Sequence, residues 1–145
     1  MKDESNDQPY ALVGDLNPDV YEKFVSLETQ KVIMTKKQQL HDDEKHDMVY
    51  TNYHVYLSET FSQPDIIFWD KKYPASVVLL KRLLELENET YLKVVLKFKT
   101  LSDPPTYFNS IITMYLVRAK EFRRLIRQAC RDGRMLYQKI ELDDQ

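Results

Sequence analysis

The feature that most constrains the fold is a succession of strand-like segments in the second half of the chain. Residues rich in β-branched and aromatic side chains cover positions 66–69, 76–87, 91–101 and 107–117, with turn residues between them. Successive strands joined by short connections favour an antiparallel meander. A last strand is predicted over residues 135–142.

Helix signals flank this meander. Asn17-Pro18 predicts a helix start, and residues 36–61 predict a helix in two pieces, the first of them nearly all polar. Residues 119–131 predict an amphipathic helix that Asp132-Gly133 ends. We therefore predict an α+β fold in which N-terminal helices pack on a four- to five-stranded antiparallel sheet, with one helix before the last strand.

A chain of 145 residues with 43% hydrophobic content is predicted to form one globular domain. We assign that domain to residues 10–142, after a flexible lead at 1–9 and before an acidic tail at 143–145. The polar N-terminus lacks the apolar core of a signal peptide, and no apolar run reaches the length of a membrane span. The expected location is the cytoplasm.

Composition removes several functional classes. With only two glycines in the chain, Gly14 and Gly133, neither a phosphate-binding loop nor a dinucleotide fingerprint is present. The single Cys130 excludes an internal disulfide and a multi-cysteine zinc site. Because Cys130 falls inside a predicted helix beside Ala129, a buried and inert thiol is expected.

The near-neutral net charge conceals two halves of opposite sign. Residues 1–70 hold six Lys and Arg against fourteen Asp and Glu, whereas residues 71–139 hold fifteen against six. A basic surface of this kind attracts polyanions such as RNA through counterion release. A solvated helix face with ordinary internal ion pairs explains the same charges equally well.

Two histidines, His41 and His46, lie on the polar helical stretch. Their spacing separates them by about 140° on a continuous helix, which is poor for one metal ion even with Asp42 and Asp43 nearby. If the helix ends near Lys45, both rings can face one cleft, and such a pair suits acid–base chemistry near neutral pH. Two exposed surface histidines are the alternative.

Two further segments combine residue types that contact nucleic acids. Asn109, Ser110 and Thr113 bring small hydrogen-bonding groups to the start of an apolar strand, where they can hold a phosphate or a base edge. Tyr137 and Lys139 are two residues apart on the last strand, so one can stack on a base while the other neutralises a phosphate. Ordinary strand-edge polarity and a surface pair are the corresponding alternatives.

Taken in order, these segments resemble the phage-borne nucleases of the barnase–EndoU–colicin–RelE-like group. The resemblance covers roughly residues 10–141 and depends on seven short motifs in the right order. They are Val32-Ile-Met-Thr35, His41-Asp-Asp-Glu-Lys-His46, Gln63-Pro-Asp-Ile-Ile67, Val77-Val-Leu-Leu-Lys81, Lys93-Val-Val-Leu-Lys97, Asn109-Ser-Ile-Ile-Thr113 and Met135-Leu-Tyr-Gln-Lys139.

The resemblance implies a metal-independent endoribonuclease in which a 2′-OH attacks the adjacent phosphate. It makes His41 and His46 the candidate base and acid, with Tyr137 and Lys139 as further catalytic residues. The residues expected to bind substrate are Asn109, Ser110, Thr113, Lys97 and Arg118. Neither a metal ion nor an organic cofactor is expected. The expected partners are RNA, with tRNA as one candidate, and an antitoxin or immunity protein.

Two other functions fit the same sequence. The first is a non-catalytic RNA-binding module that works through the outward arginines of residues 119–131, namely Arg123, Arg124, Arg127 and Arg131. The second is a protein-interaction or virion-associated domain, which the ten tyrosines and the near-neutral net charge permit.

Overall fold

The computed structural model describes residues 9–139. Three predicted segments lie partly or wholly outside this range: residues 1–8 of the lead, positions 140–142 of the last strand, and the acidic tail at 143–145. The strands are β1 (Tyr10–Asp15), β2 (Lys31–Thr35), β3 (Ile66–Trp69), β4 (Ser76–Arg82), β5 (Thr90–Lys97), β6 (Asn109–Arg118) and β7 (Met135–Gln138). The helices are α1 (Pro18–Tyr21), α2 (Lys36–Lys45), α3 (Val49–Tyr53), α4 (Leu57–Ser62) and α5 (Ala119–Arg131).

The seven strands form one mixed sheet in the order β1-β2-β6-β5-β4-β3-β7. All neighbouring strands are antiparallel except β2 and β6, which run parallel and pair only at Val32 with Asn109 and at Ile33 with Ser110. The meander from β3 to β6 forms the centre of the sheet. β4, one of the two inner strands of the meander, is buried along Ser76–Lys81, as expected for a strand covered on both faces.

The predicted architecture is wrong in three respects, although the structure belongs to the α+β class. The sheet has seven strands rather than four or five, it is mixed rather than antiparallel, and β1 precedes all the helices. The sequence pattern does not predict β1, because a strand with a half-exposed pattern and an internal glycine gives little periodicity. Residues 31–34 form a β-rich run in the sequence, but the place of β2 beside β6 depends on contacts between residues far apart in the chain. Because β2 and β6 run in the same direction, the sheet that contains both is mixed.

Helices cover both faces of this sheet. On one face α1, α3 and α4 bury Tyr21, Val49, Leu57 and Phe61 against the apolar side chains of the strands. On the other face, which we call the α5 face, Phe122, Ile126 and Ala129 pack on residues such as Phe68, Val78, Val95 and Val117. Within residues 9–139 no helix combines the length and the apolar character needed to cross a membrane.

The local helix signals are confirmed. The side chain of Asn17 caps α1 by accepting from Asp19 N, and Thr35 caps α2 by accepting from Gln38 N at 3.1 Å. α5 ends before Asp132-Gly133, where Gly133 takes a left-handed φ of 72° and Arg134 N donates to Ala129 O. The prediction of two helical pieces over residues 36–61 is wrong in number. The first piece does end at Lys45, but the second is divided into α3, a 3₁₀ turn over His54–Tyr56, and α4.

Helix α2 is attached to the sheet by a carboxylate, because it has no buried apolar side chain. Asp42 is 0% exposed and accepts hydrogen bonds from Met114 N and from the Thr113 hydroxyl, both at 2.9 Å. Gln38 Nε2 donates to the same carboxylate at 3.0 Å. Strand β2 pairs with only the first two residues of β6, Asn109 and Ser110. Helix α2 therefore continues along the edge of β6 that β2 leaves free, and Asp42 satisfies a backbone donor there.

Candidate nucleic-acid-binding face

The outer surface of α5 is strongly basic. Its thirteen residues, AKEFRRLIRQACR, hold five cations and a single carboxylate, and the buried positions recur at helical spacing, so the cations project from the sheet. Arg124 hydrogen-bonds Glu121, which lowers the pKa of the Glu121 carboxyl. Arg123 lies 3.9 Å from Glu89. Within residues 9–139 no carboxylate lies within salt-bridge distance of Lys120, Arg127 or Arg131.

A groove runs along one flank of α5 and ends at the edge strand β7. It encloses a cavity of about 610 Å³, with Phe122 and Ile126 as its apolar floor. Arg123, Arg127 and Arg131 form the helix side of the groove, together with Cys130. Gln138 of β7 closes the opposite side. The groove therefore combines an apolar floor with a cationic rim, which suits an anion that also has an apolar part.

Cys130 is exposed, so the predicted buried thiol is wrong. Ala129 and Cys130 are neighbours in sequence, but successive residues of a helix are about 100° apart, and only Ala129 faces the sheet. Cys130 lies instead on the flank that faces the groove.

A second polar cluster lies on the α5 face where α2 ends. The ring of His46 stacks on Tyr115 with centroids 4.7 Å apart, and the Tyr115 hydroxyl accepts from Lys93 Nζ at 2.6 Å. Arg124 and Glu121 adjoin this cluster, because both line one surface cleft with Tyr115. The charge of Lys93 lowers the pKa of Glu121, to a lesser extent than Arg124 does. A histidine, a tyrosine and a lysine thus form one continuous chain of contacts beside the basic helix.

The backbone after α2 explains the position of His46. His46 is the C-terminal cap of α2, and the next two residues, Asp47 and Met48, have left-handed φ values of 53° and 60°. Two successive non-glycine residues in this conformation are unusual and cost free energy. They turn the chain from α2 into α3 in a tight link, and His46 is held against Tyr115 at its start.

The structure separates the two candidate histidines. α2 does end at Lys45, yet only His46 packs on the sheet, while the side chain of His41 is exposed on α2. Within residues 9–139 no hydrogen bond or ring contact joins His41 to His46. Of the predicted acid–base pair, the structure therefore brings only His46 to other candidate functional groups.

The polar residues of β6 are used in holding the fold. Asn109 is 1% exposed; its amide nitrogen donates to Thr29 O and Lys31 O, and its oxygen accepts from Lys99 N. The Thr113 hydroxyl donates to Asp42. Ser110 is half-buried in the short parallel pair between β2 and β6. These groups therefore join α2, β2 and the end of β5 to β6.

The remaining predicted residues lie apart from one another. Lys97 forms an ion pair with Asp103 at 3.6 Å, and Arg118 is exposed at the start of α5. Tyr137 packs with the core on the opposite face from α5, and Lys23 Nζ lies 5.8 Å from its ring centroid. Lys139 lies beyond the end of β7 and lines a separate cleft with Lys81 and Arg82.

The predicted residues consequently do not converge on one cleft. β6 and β7 are four strand positions apart in the sheet, roughly 19 Å at the usual strand spacing. His46 and Tyr137 also lie on opposite faces. The residues that accompany His46 are Tyr115 and Lys93. The alternation of β6 could have indicated the face on which Tyr115 lies, because Tyr115 and Val117 are two residues apart and therefore share one side of the sheet.

Comparisons with family models, with curated proteins and with solved structures found no match for this chain. Within residues 9–139 no group of three or more His, Cys, Asp or Glu side chains is placed to hold a metal ion.

Proposed function

We propose that this chain binds RNA through the basic outer surface of α5. The observation that supports the proposal is the set of exposed cations on one helix, Lys120, Arg127 and Arg131, that have no carboxylate within salt-bridge distance in the described part of the chain. A solvated surface helix usually alternates charges of both signs at a spacing of three or four residues. α5 departs from that pattern, since Glu121 is its single acid.

Unpaired cations in a row are suited to a phosphate backbone. Each phosphate that a Lys or Arg neutralises releases a condensed counterion, which makes the affinity depend on the salt concentration. Arg127 and Arg131 are four residues apart and lie along the same side of α5. The proposed location is the cytoplasm, and tRNA is one candidate ligand.

Replacing both Arg127 and Arg131 by alanine is expected to weaken RNA binding and to make it less dependent on salt. If each arginine contacts one phosphate of a single strand, the slope of log K against log salt becomes shallower by about 1.4, at roughly 0.7 per phosphate. Fluorescence anisotropy with labelled RNA over a series of salt concentrations measures both quantities.

The matched control is the double variant Lys31→Ala/Lys37→Ala, which removes two exposed cations from β2 and α2, away from α5. It is expected to leave the slope nearly unchanged. An equal change of slope in the two variants would contradict a dedicated α5 surface, and no affinity of the unmodified chain for RNA would contradict the proposal itself.

The second candidate function is metal-independent RNA cleavage, and the observation that favours it is the contact chain His46–Tyr115–Lys93. In the expected reaction the 2′-oxygen bonds to the adjacent phosphorus, the bond from phosphorus to the 5′-oxygen breaks, and the leaving oxygen takes a proton. His46 is the group suited to accept the 2′-OH proton, because a neutral imidazole nitrogen is a proton acceptor. The Tyr115 hydroxyl supplies a donor, and Lys93 supplies positive charge for the phosphorane oxygens.

This candidate predicts a difference between the two histidines. His46→Ala is expected to lower the rate of RNA cleavage in EDTA by about 100-fold or more, the usual contribution of a positioned acid or base, whereas His41→Ala leaves the rate unchanged. Gel analysis of labelled RNA measures the rates, and Tyr115→Phe and Lys93→Ala complete the series. Absence of cleavage by the unmodified chain, or equal loss in both histidine variants, would remove the catalytic candidate and leave the binding proposal in place.

A further inference from the structure

We propose that the groove beside α5 receives a nucleobase, so that the chain selects single-stranded over double-stranded RNA. This inference rests on the proposed RNA-binding function and adds to it the form of the ligand. The groove has an apolar floor and a cationic rim. Phe122 and Ile126 form the floor, and three arginines form the helix side.

The apolar floor does not fit a phosphate. An anion placed against Phe122 and Ile126 would lose its hydration without gaining a hydrogen-bond donor. The face of a nucleobase is apolar and polarisable, and its burial on such a floor is favourable. The cavity of about 610 Å³ is larger than one base requires and lies within the range of about 300–1,000 Å³ that is usual for ligand sites.

The floor is also fixed before any ligand binds. The ring of Phe122 stacks on Tyr91 at a centroid distance of 3.6 Å and an interplanar angle of 6°. Ile126 is buried in the same cluster against the sheet. Since these side chains are already ordered, a base that enters the groove does not have to order them, which favours affinity.

The arginines of the rim are expected to align the bound RNA strand with the axis of α5. Arg123, Arg127 and Arg131 follow one another at intervals of four residues, about 6 Å of rise along the axis of α5 for each interval. This row suits successive phosphates of an extended strand that runs parallel to the helix. Gln138, exposed on the opposite side of the groove, offers an amide that can both donate to and accept from a base edge.

A duplex cannot use the groove in this way. In A-form RNA the base faces are covered by stacking and the edges by pairing, so a duplex presents only its backbone and shallow groove. It would touch the arginines and leave the apolar floor without a partner. A single strand is therefore expected to bind about tenfold more tightly than the same sequence in a duplex, which is what one well-stacked base is worth.

Cys130 allows this inference to be tested directly, because it is the single cysteine of the chain and is exposed in the groove. The rate at which iodoacetamide alkylates Cys130 is measured with the full chain at saturation with three oligonucleotides. These are a single strand, the same strand in a duplex, and the same strand with abasic sites at its centre. The intact single strand is expected to slow alkylation strongly, and the other two to slow it little.

Two sets of variants serve as controls. Cys130→Ser/Lys37→Cys moves the single thiol to an exposed position on α2, where no oligonucleotide is expected to protect it. Cys130→Phe fills the groove and is expected to lower the affinity for the intact strand to that for the abasic strand, whereas Lys37→Phe, which adds the same ring at an exposed position on α2, leaves it unchanged.

The outcomes separate this inference from the function on which it rests. Equal protection by all three oligonucleotides, or unchanged affinity in Cys130→Phe, would overturn the base-binding groove while the arginine surface stands. Failure of every oligonucleotide to bind would overturn the proposed function as well.

Discussion

Replacing Asp42 by alanine is expected to lower the free energy of unfolding by about 3 kcal/mol, because a buried backbone donor and a hydroxyl lose their acceptor together. The carboxylate accepts from Met114 N, from Thr113 and from Gln38. It is also the one side chain of α2 that is fully buried. The substitution therefore removes the main attachment of the helix as well as its hydrogen bonds. Chemical denaturation followed by circular dichroism measures the change.

Two further variants identify the cause of this loss. Glu44→Ala removes an exposed carboxylate from the same helix and is expected to change stability by less than about 0.5 kcal/mol. Asp42→Asn keeps one acceptor oxygen and turns the other into a donor, so an intermediate loss is expected. Equal stability of Asp42→Ala and Glu44→Ala would show that the carboxylate does not hold α2 on the sheet.

Gly14→Ala is expected to destabilise the protein by about 2–3 kcal/mol through overpacking. A Cβ at this position would lie 2.6 Å from Cδ2 of Phe61, whose ring is fully buried. The same Cβ would lie 3.2 Å from Cε2 of Phe61, whereas its 3.4 Å distance to the Ser58 backbone is ordinary contact, so the clash is with the Phe61 ring of α4. Relief requires β1 and α4 to separate, which opens the core on that face. Thermal unfolding by calorimetry measures the effect.

Gly133 supplies the matched control for this prediction. It has a left-handed φ of 72°, but a Cβ there meets nothing within 4 Å. Gly133→Ala is thus expected to cost about 1 kcal/mol for the backbone conformation alone. A loss in Gly14→Ala no greater than in Gly133→Ala would show that the contact with Phe61 is readily relieved.

The parts of the fold that follow from local chemistry could be predicted from sequence. Asn17, Thr35 and Gly133 mark helix ends by capping and by backbone conformation, which depend on a few neighbouring residues. The meander and the amphipathic α5 follow from periodicity. The places of β1 and β2 do not, because the pairing of β2 with β6 depends on contacts between residues far apart in sequence.

The candidate site also combines features that local sequence predicts with features that depend on long-range contacts. The outward arginines of α5 could be predicted from helical spacing, and the structure places them at the surface. The roles of Asn109 and Thr113 could not, since their partners, Thr29 O, Lys31 O and Asp42, come from segments that sequence does not place next to them. A polar residue in an apolar strand indicates a buried hydrogen bond or a ligand, and its sequence neighbours do not distinguish the two.

The attachment of α2 to β6 also determines when the N-terminal third of the chain can finish folding while the protein is being synthesised. Asp42 and Met114 are 72 positions apart, and Asn109 and Thr29 are 80 apart. Contacts between residues so far apart in sequence form slowly, because closing the intervening loop costs conformational entropy before the contacts stabilise the chain. A ribosome must therefore deliver β6 before β2 and α2 acquire their partners. Until then β2 presents an unpaired edge, so a newly made chain is most exposed to aggregation in this interval.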